Sequence, residues 1–219
     1  MCLCKPAPPT PDQCGNLCLD FHTHPRNCGR CGNVCASGYC YQGACFTPPA
    51  NADKCYPVNA LTNGDFSNGL TGWSTTSPTN VKAVSSVSTG PKIGEKSILT
   101  QAIFLVGAPD TSIPILTLTT TLRLCPGVQY KIDFQITALS DITKLSLSVG
   151  GKDIGVNEKV PISTFVWLAK GPYTLPTFNK GDAGTTEDGL FLDVELDIHL
   201  YGASLIANIG EVAVYSTDA

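Results

Sequence analysis

From residue 102 onward the chain alternates between apolar and polar side chains in short runs. Ala102-Ile103-Phe104-Leu105-Val106 is a brief apolar run, and Leu116-Thr117-Leu118-Thr119-Thr120-Thr121-Leu122-Arg123-Leu124 follows with a period of two. Tyr130, Ile132, Phe134 and Ile136 repeat that period, as do Leu145, Leu147 and Val149 before a Gly150-Gly151 turn. Thr164-Phe165-Val166-Trp167-Leu168 predicts another strand, and Ile209 to Tyr215 closes the chain. The clearest stretch is Leu190 to Tyr201, where Leu192, Val194, Leu196, Ile198 and Leu200 share one side. A period of two places alternate side chains on opposite faces of a strand, so each segment predicts a strand with one buried face. Gly- and Pro-rich breaks between them predict turns, and no stretch has convincing helical periodicity. The class is all-β, with antiparallel sheets stacked as a sandwich.

The front of the chain lacks this pattern. Nine cysteines fall before residue 46, at positions 2, 4, 14, 18, 28, 31, 35, 40 and 45; only Cys55 and Cys125 follow. Four organisational units result: a Pro-rich segment at 1–11, a disulfide-rich module at 12–45, a linker at 46–54, and a β-sandwich at 55–219. Leu17, Leu19, Phe21, Val34 and Tyr39 are too few to form a core, so covalent cross-links must restrict the module's unfolded chain. Cys28-x-x-Cys31 with His22 and His24 nearby is also a spacing that zinc uses. The Gly-rich intervals favour disulfides instead.

Eleven cysteines in 219 residues point to an oxidising, extracellular setting. The chain starts Met1-Cys2 without a signal peptide, which reads as a mature form with Met1 native or added for expression. The net charge of −4 gives no long-range attraction to nucleic acid, and no apolar run reaches the length of a membrane span. No Asn-x-Ser/Thr sequon is present. Gly-x-Ser-x-Gly, His-Glu-x-x-His and phosphate-cradling Gly-rich motifs are missing too, so the sequence reads as non-enzymatic. Carboxylates do cluster at Glu187/Asp188 and Asp193/Glu195/Asp197, and a solvated strand face accounts for them.

Two stretches carry a resemblance. Cys14-Gly15, Cys18, Asp20, Pro25, Asn27-Cys28-Gly29, Cys31-Gly32-Asn33-Val34-Cys35, Gly38, Cys40, Gly43 and Cys45 resemble a Cys-rich repeat (CGxCGNVC-type) of secreted fungal and plant stigma-type proteins. This implies secretion and a stapled scaffold; His24 stands where the repeat usually has Asp. Asn63-Gly64-Asp65-Phe66-Ser67-Asn68-Gly69-Leu70-Thr71-Gly72-Trp73 resembles the opening of the cellulase-type (CenC-like) carbohydrate-binding modules, with Ser67 where an acid is usual. Cys125-Pro126-Gly127-Val128-Gln129-Tyr130-Lys131-Ile132-Asp133-Phe134 resembles a central strand of the same family. The likeness implies a jelly-roll sandwich, a Cys55–Cys125 bridge, and a structural calcium ion near Asp65 and Glu211, although no cofactor is required. Nine cysteines then remain, an odd number. Cys2 is the leftover, either an artefact of expression or a route to self-association.

The polar side of the Leu190–Tyr201 strand presents Asp193, Glu195, Asp197, His199 and Tyr201 in line. Planar polar groups beside an aromatic ring suit a glycan, whose hydroxyls want hydrogen bonds and whose C–H faces want a ring. Lys131, Asp133 and Gln135 would line a second such face. Trp167 is a candidate stacking platform, as are Tyr173 and Phe178, while Trp73 belongs in the core. The row Thr117, Thr119, Thr121 needs no more than β-propensity to explain it. The expected partner is a cell-wall polysaccharide.

Overall fold

The computed structural model describes residues 12–14, 17–19, 21–22, 24–37, 39–47, 55, 60–90, 96–105, 110, 112–163 and 166–216. Cys2, Cys4, the Pro-rich segment and most of the linker lie outside them. Among the described residues every regular element is a strand. The front module holds two small hairpins: β1 (Asp12–Cys14) with β2 (Leu17–Leu19), and β3 (Cys40–Tyr41) with β4 (Ala44–Cys45). Twelve more strands follow: β5 (Trp73–Thr76), β6 (Val81–Thr89), β7 (Lys96–Phe104), β8 (Leu116–Leu124), β9 (Tyr130–Ala138), β10 (Ile142–Val149), β11 (Lys152–Asp153), β12 (Glu158–Val160), β13 (Leu168–Thr174), β14 (Thr185–Asp188), β15 (Phe191–Tyr201) and β16 (Ser204–Ser216).

These twelve form two sheets. One has seven strands, ordered β11-β10-β15-β8-β5, with β12 paired to β10 and β14 to β15; the other is β13-β9-β16-β7-β6. Every pairing is antiparallel. The alternating residues behave as the period predicts. Leu192, Val194, Leu196, Ile198 and Leu200 of β15 are fully buried and meet Ile132, Phe134 and Ile136 of β9 in one continuous core. Thr120 interrupts the leucine row of β8 but donates its hydroxyl to Gly72 O at 2.8 Å, so burial leaves it satisfied. The result is a jelly-roll β-sandwich behind a small disulfide-rich module.

Some boundaries move. The strand expected at 164–168 starts at Leu168 and runs on to Thr174; Thr164 and Phe165 lie outside the described residues. The edge strand β6 gave no signal, because Lys82, Val84, Ser86 and Val87 are exposed and its alternation is blurred.

Disulfides join Cys28 to Cys40, Cys35 to Cys45, and Cys55 to Cys125. Cys31 is disulfide-bonded as well. The sulfurs of Cys28, Cys35 and Cys45 crowd within 4.8 Å because two cystines lie side by side. Oxidised sulfur is no zinc ligand, which removes the zinc alternative at these positions.

In the Gly-rich opening of the sandwich Gly64, Gly69 and Gly72 all lie in turns, but not all for the same reason. Gly69 and Gly72 do take positive φ, at 67° and 80°. Gly64 does not; it is glycine because a Cβ there would lie 2.0 Å from Val212 O. That close approach lets Gly64 O accept from Val212 N at 2.9 Å, sewing the loop to β16. Phe66, fully buried, packs 5.2 Å from Trp73, whose indole N–H donates to Asn63 O.

Candidate functional site

The two sheets differ in what covers their outer faces, and this decides where a ligand could sit. On the five-stranded sheet the disulfide-rich module lies directly on β9 and β16. His24 Nε2 is 4.0 Å from Asp133 Oδ1, and the His24 ring lies 5.8 Å from that of Tyr215. The Tyr215 hydroxyl donates to Asp133 Oδ2 at 2.8 Å. Burial pushes the Asp133 carboxyl up to about 7; the Tyr215 hydrogen bond opposes this, the Glu211 charge adds to it, and Arg26 opposes it. β16 is buried from Ile209 to Ser216 because it has core on one side and the module on the other. Farther along, Ser163 covers Thr137, whose hydroxyl donates to Ser163 O at 2.6 Å. The second sugar face expected at Asp133 and Gln135 is therefore closed.

The acids implied as calcium ligands, Asp65 and Glu211, do come together, but around a cation the chain itself supplies. Arg26 Nη2 is 3.3 Å from Asp65 Oδ2, and Arg26 Nη1 is 3.9 Å from Glu211 Oε1. Glu211 Oε2 accepts from the Gln135 amide. Glu211 reaches this position from a bulge in β16, with φ at 51°. Calcium takes six to eight oxygen ligands. Two carboxylates already facing a guanidinium do not fit that demand.

The outer face of the seven-stranded sheet is built from three adjacent strands. Asp197 and His199 of β15 stand opposite Ser148 and Ser146 of β10 on one side, and Thr119 and Thr117 of β8 on the other. The Thr119 hydroxyl donates to Asp197 Oδ1 at 2.7 Å, and the Ser148 hydroxyl to Asp197 Oδ2 at 3.0 Å. Ser148 Oγ also lies 3.2 Å from His199 Nε2, and Thr117 Oγ1 lies 3.0 Å from His199 Nδ1. Ser148 has one hydroxyl proton and gives it to Asp197, so it accepts from Nε2–H. In neutral His199, Nδ1 then accepts from Thr117. All donors run toward the Asp197 carboxylate, which has lone pairs left for a ligand hydroxyl.

Aromatic rings stand at both ends of this face, each under a cation. Arg123 lies 4.7 Å over Phe191, and Lys144 Nζ lies 4.7 Å over Tyr201. Tyr201 was expected to offer its ring to a sugar, but it is only 9% exposed. Asp193 and Glu195 lie between Phe191 and Asp197, with Glu195 exposed opposite Thr121.

The other aromatic candidates do not join this face. Trp167 is half-buried just before β13, on the edge of the other sheet. Phe178 is a core residue at 1% exposure, and Tyr173 packs its ring on Phe134 while donating to Glu158 at 2.8 Å. Sequence reasoning missed the roles of Ser148, Thr117 and Thr119. Their signal was the alternation of β8 and β10, but which strand they flank is a matter of pairing.

No family model matches this sequence, and no curated protein matches it. Solved structures match in shape. A candidate sugar-binding protein from Bacteroides thetaiotaomicron superposes with a TM-score of 0.51 at 11% identity, over 73% of this chain and 100% of that one. An arabinose-bound α-L-arabinofuranosidase gives 0.51 at 13% identity, over 77% of this chain and 28% of that one. The CBM22-1 xylan-binding domain of Paenibacillus barcinonensis Xyn10C gives 0.47 at 14% identity, over 77% and 99%. The chain spans 21% of the bacteriophage CBA120 tailspike protein 4 domain that it also matches. At such identities the likeness is one of fold, and this chain is a β-sandwich shared by proteins of differing activity.

Proposed function

We propose that this chain is a secreted, non-catalytic carbohydrate-binding protein that recognises a cell-wall polysaccharide through the outer face of β8, β15 and β10. The observation that carries this reading is the hydrogen-bonded chain Thr117–His199–Ser148–Asp197–Thr119 on the outer face of the seven-stranded sheet, away from the β9 and β16 surface that the disulfide-rich module covers. Groups already fixed by their neighbours lose little freedom on binding, which favours weakly held, hydroxyl-rich ligands. β15 runs about 33 Å, at roughly 3.3 Å per residue, enough for several sugar units. Asp193, Glu195 and Asp197 lie on the same strand face instead of opposing each other across a cleft, which favours binding over hydrolysis. Three intramolecular disulfides among the described residues support the extracellular setting.

Pull-down on insoluble chitin, β-glucan and cellulose, with a glycan array, tests the reading. Binding that falls about tenfold in Asp197→Ala and His199→Ala is expected. Binding to none of these, or binding indifferent to both changes, refutes it.

One observation favours a second reading, an adhesive protein that self-associates. Val84, Ile103 and Leu105 are 55%, 52% and 56% exposed on the β6–β7 edge. Sizing at several concentrations and non-reducing gels decide it: a strict monomer rejects this reading.

A further inference from the structure

A cleft of about 290 Å³ opens where the disulfide-rich module meets the sandwich. The module contributes Tyr39, Val34 and Arg26, and the loop before β5 contributes Thr62, Asp65 and Asn68. Both walls are fixed by bonds that predate any ligand. Tyr39 precedes the Cys40–Cys28 bridge; its N–H donates to Ser37 Oγ, and its carbonyl accepts from Phe46 N at 3.0 Å. The Asn68 N–H donates to Asn63 Oδ1 at 2.9 Å. Asp65 takes Ser67 N–H and Ser67 O–H on one oxygen and faces Arg26 with the other.

The cleft thus offers a carboxylate, a phenol ring and an amide, while the Arg26 guanidinium is largely buried against Asp65 and Glu211. Among the described residues, the Tyr39 hydroxyl and the Asn68 amide make no hydrogen bond. A carboxylate acceptor and an amide donor lining one cleft suit sugar hydroxyls, and a ring wall suits a sugar's C–H face. An apolar ligand would strip water from Asp65 and Asn68 without replacing its hydrogen bonds. An anion would meet Asp65 and the nearby Glu211. The volume of about 290 Å³ accommodates one sugar ring.

We propose that this junction is a second sugar site, distinct from the sheet face, that takes one neutral sugar ring: a free monosaccharide or the end residue of a glycan. The inference does not depend on the sheet face being a binding site. It gives the disulfide-rich module a direct part in recognition, since half of the cleft belongs to it.

The test is an NMR titration of the isotope-labelled full chain with glucose, galactose, mannose, xylose and N-acetylglucosamine. Glucuronate serves as the charged control, and an oligosaccharide of any sugar that binds separates free ring from chain end. Expected is millimolar binding of at least one neutral sugar, with shifts at 34–39 and 62–68. Tyr39→Ala and Asn68→Ala should each weaken it about tenfold with the rest of the spectrum unchanged, while His199→Ala leaves it intact. Shifts confined to β8, β10 and β15, binding of glucuronate alone, affinity unchanged in both cleft variants, or no binding of any sugar overturns the proposal.

Discussion

Asp133 is a largely buried carboxyl group between a sheet and the module that covers it, and replacing it with Asn tests how that seam is held. Burial raises its folded pKa from 3.8 to about 7. In the unfolded chain the ordinary value applies. A raised acid binds its proton more tightly in the native state, so its contribution is fully present below about pH 4 and is lost as pH rises through about 7. A shift of roughly three pH units corresponds to about 4 kcal/mol. Asp133→Asn keeps an oxygen for the Tyr215 hydroxyl and removes the charge that His24, Glu211 and Arg26 surround. Urea unfolding of both proteins, disulfides intact, should give similar stabilities near about pH 4 and a variant more stable by up to ~4 kcal/mol near about pH 8. Parallel pH profiles, or a variant less stable at the higher pH, would refute the claim that this carboxyl is buried against its charge.

Glu158 gives the opposite sign. Burial raises its pKa, but hydrogen bonds from Lys170 and Tyr173 and the Lys170 charge outweigh this and hold the carboxyl below its ordinary range. Its stabilisation is present above the unfolded value of 4.5 and fades as pH falls through the lower folded value. Because the side chain is 40% exposed, Glu158→Gln should cost no more than about 1 kcal/mol at neutral pH and less in high salt, read by urea midpoints. Gly64→Ala would force a Cβ onto Val212 O and should cost ~3 kcal/mol, seen as a lower thermal midpoint with opened amide exchange at Val212. Replacing both Cys55 and Cys125 with Ser frees a span of 70 residues and should cost about 4 kcal/mol in denaturant unfolding.

Several features were legible from local chemistry. The period of two in Leu192–Leu200 gave β15 its inward and outward faces, because side-chain direction in a strand is a property of the backbone alone. The lack of apolar residues before Cys45 announced a cross-linked module by the same kind of reasoning, since no core could replace the bridges. The Cys55–Cys125 pairing came from resemblance, and the structure joins those two sulfurs.

Other features belong to the tertiary structure. Nothing local says that β15 lies between β8 and β10, so the bonds from Thr119 and Ser148 to Asp197 had no sequence signature. The same alternation that turned Asp197 outward also turned Asp133 outward, and only the docked module covered the surface around Asp133. Arg26 sits 39 residues before Asp65 and 185 before Glu211, yet it supplies the cation between them. Sequence set which side chains leave each strand on which side. What they meet there depends on strand order and on the packing of the module, both of which bring together residues far apart along the chain.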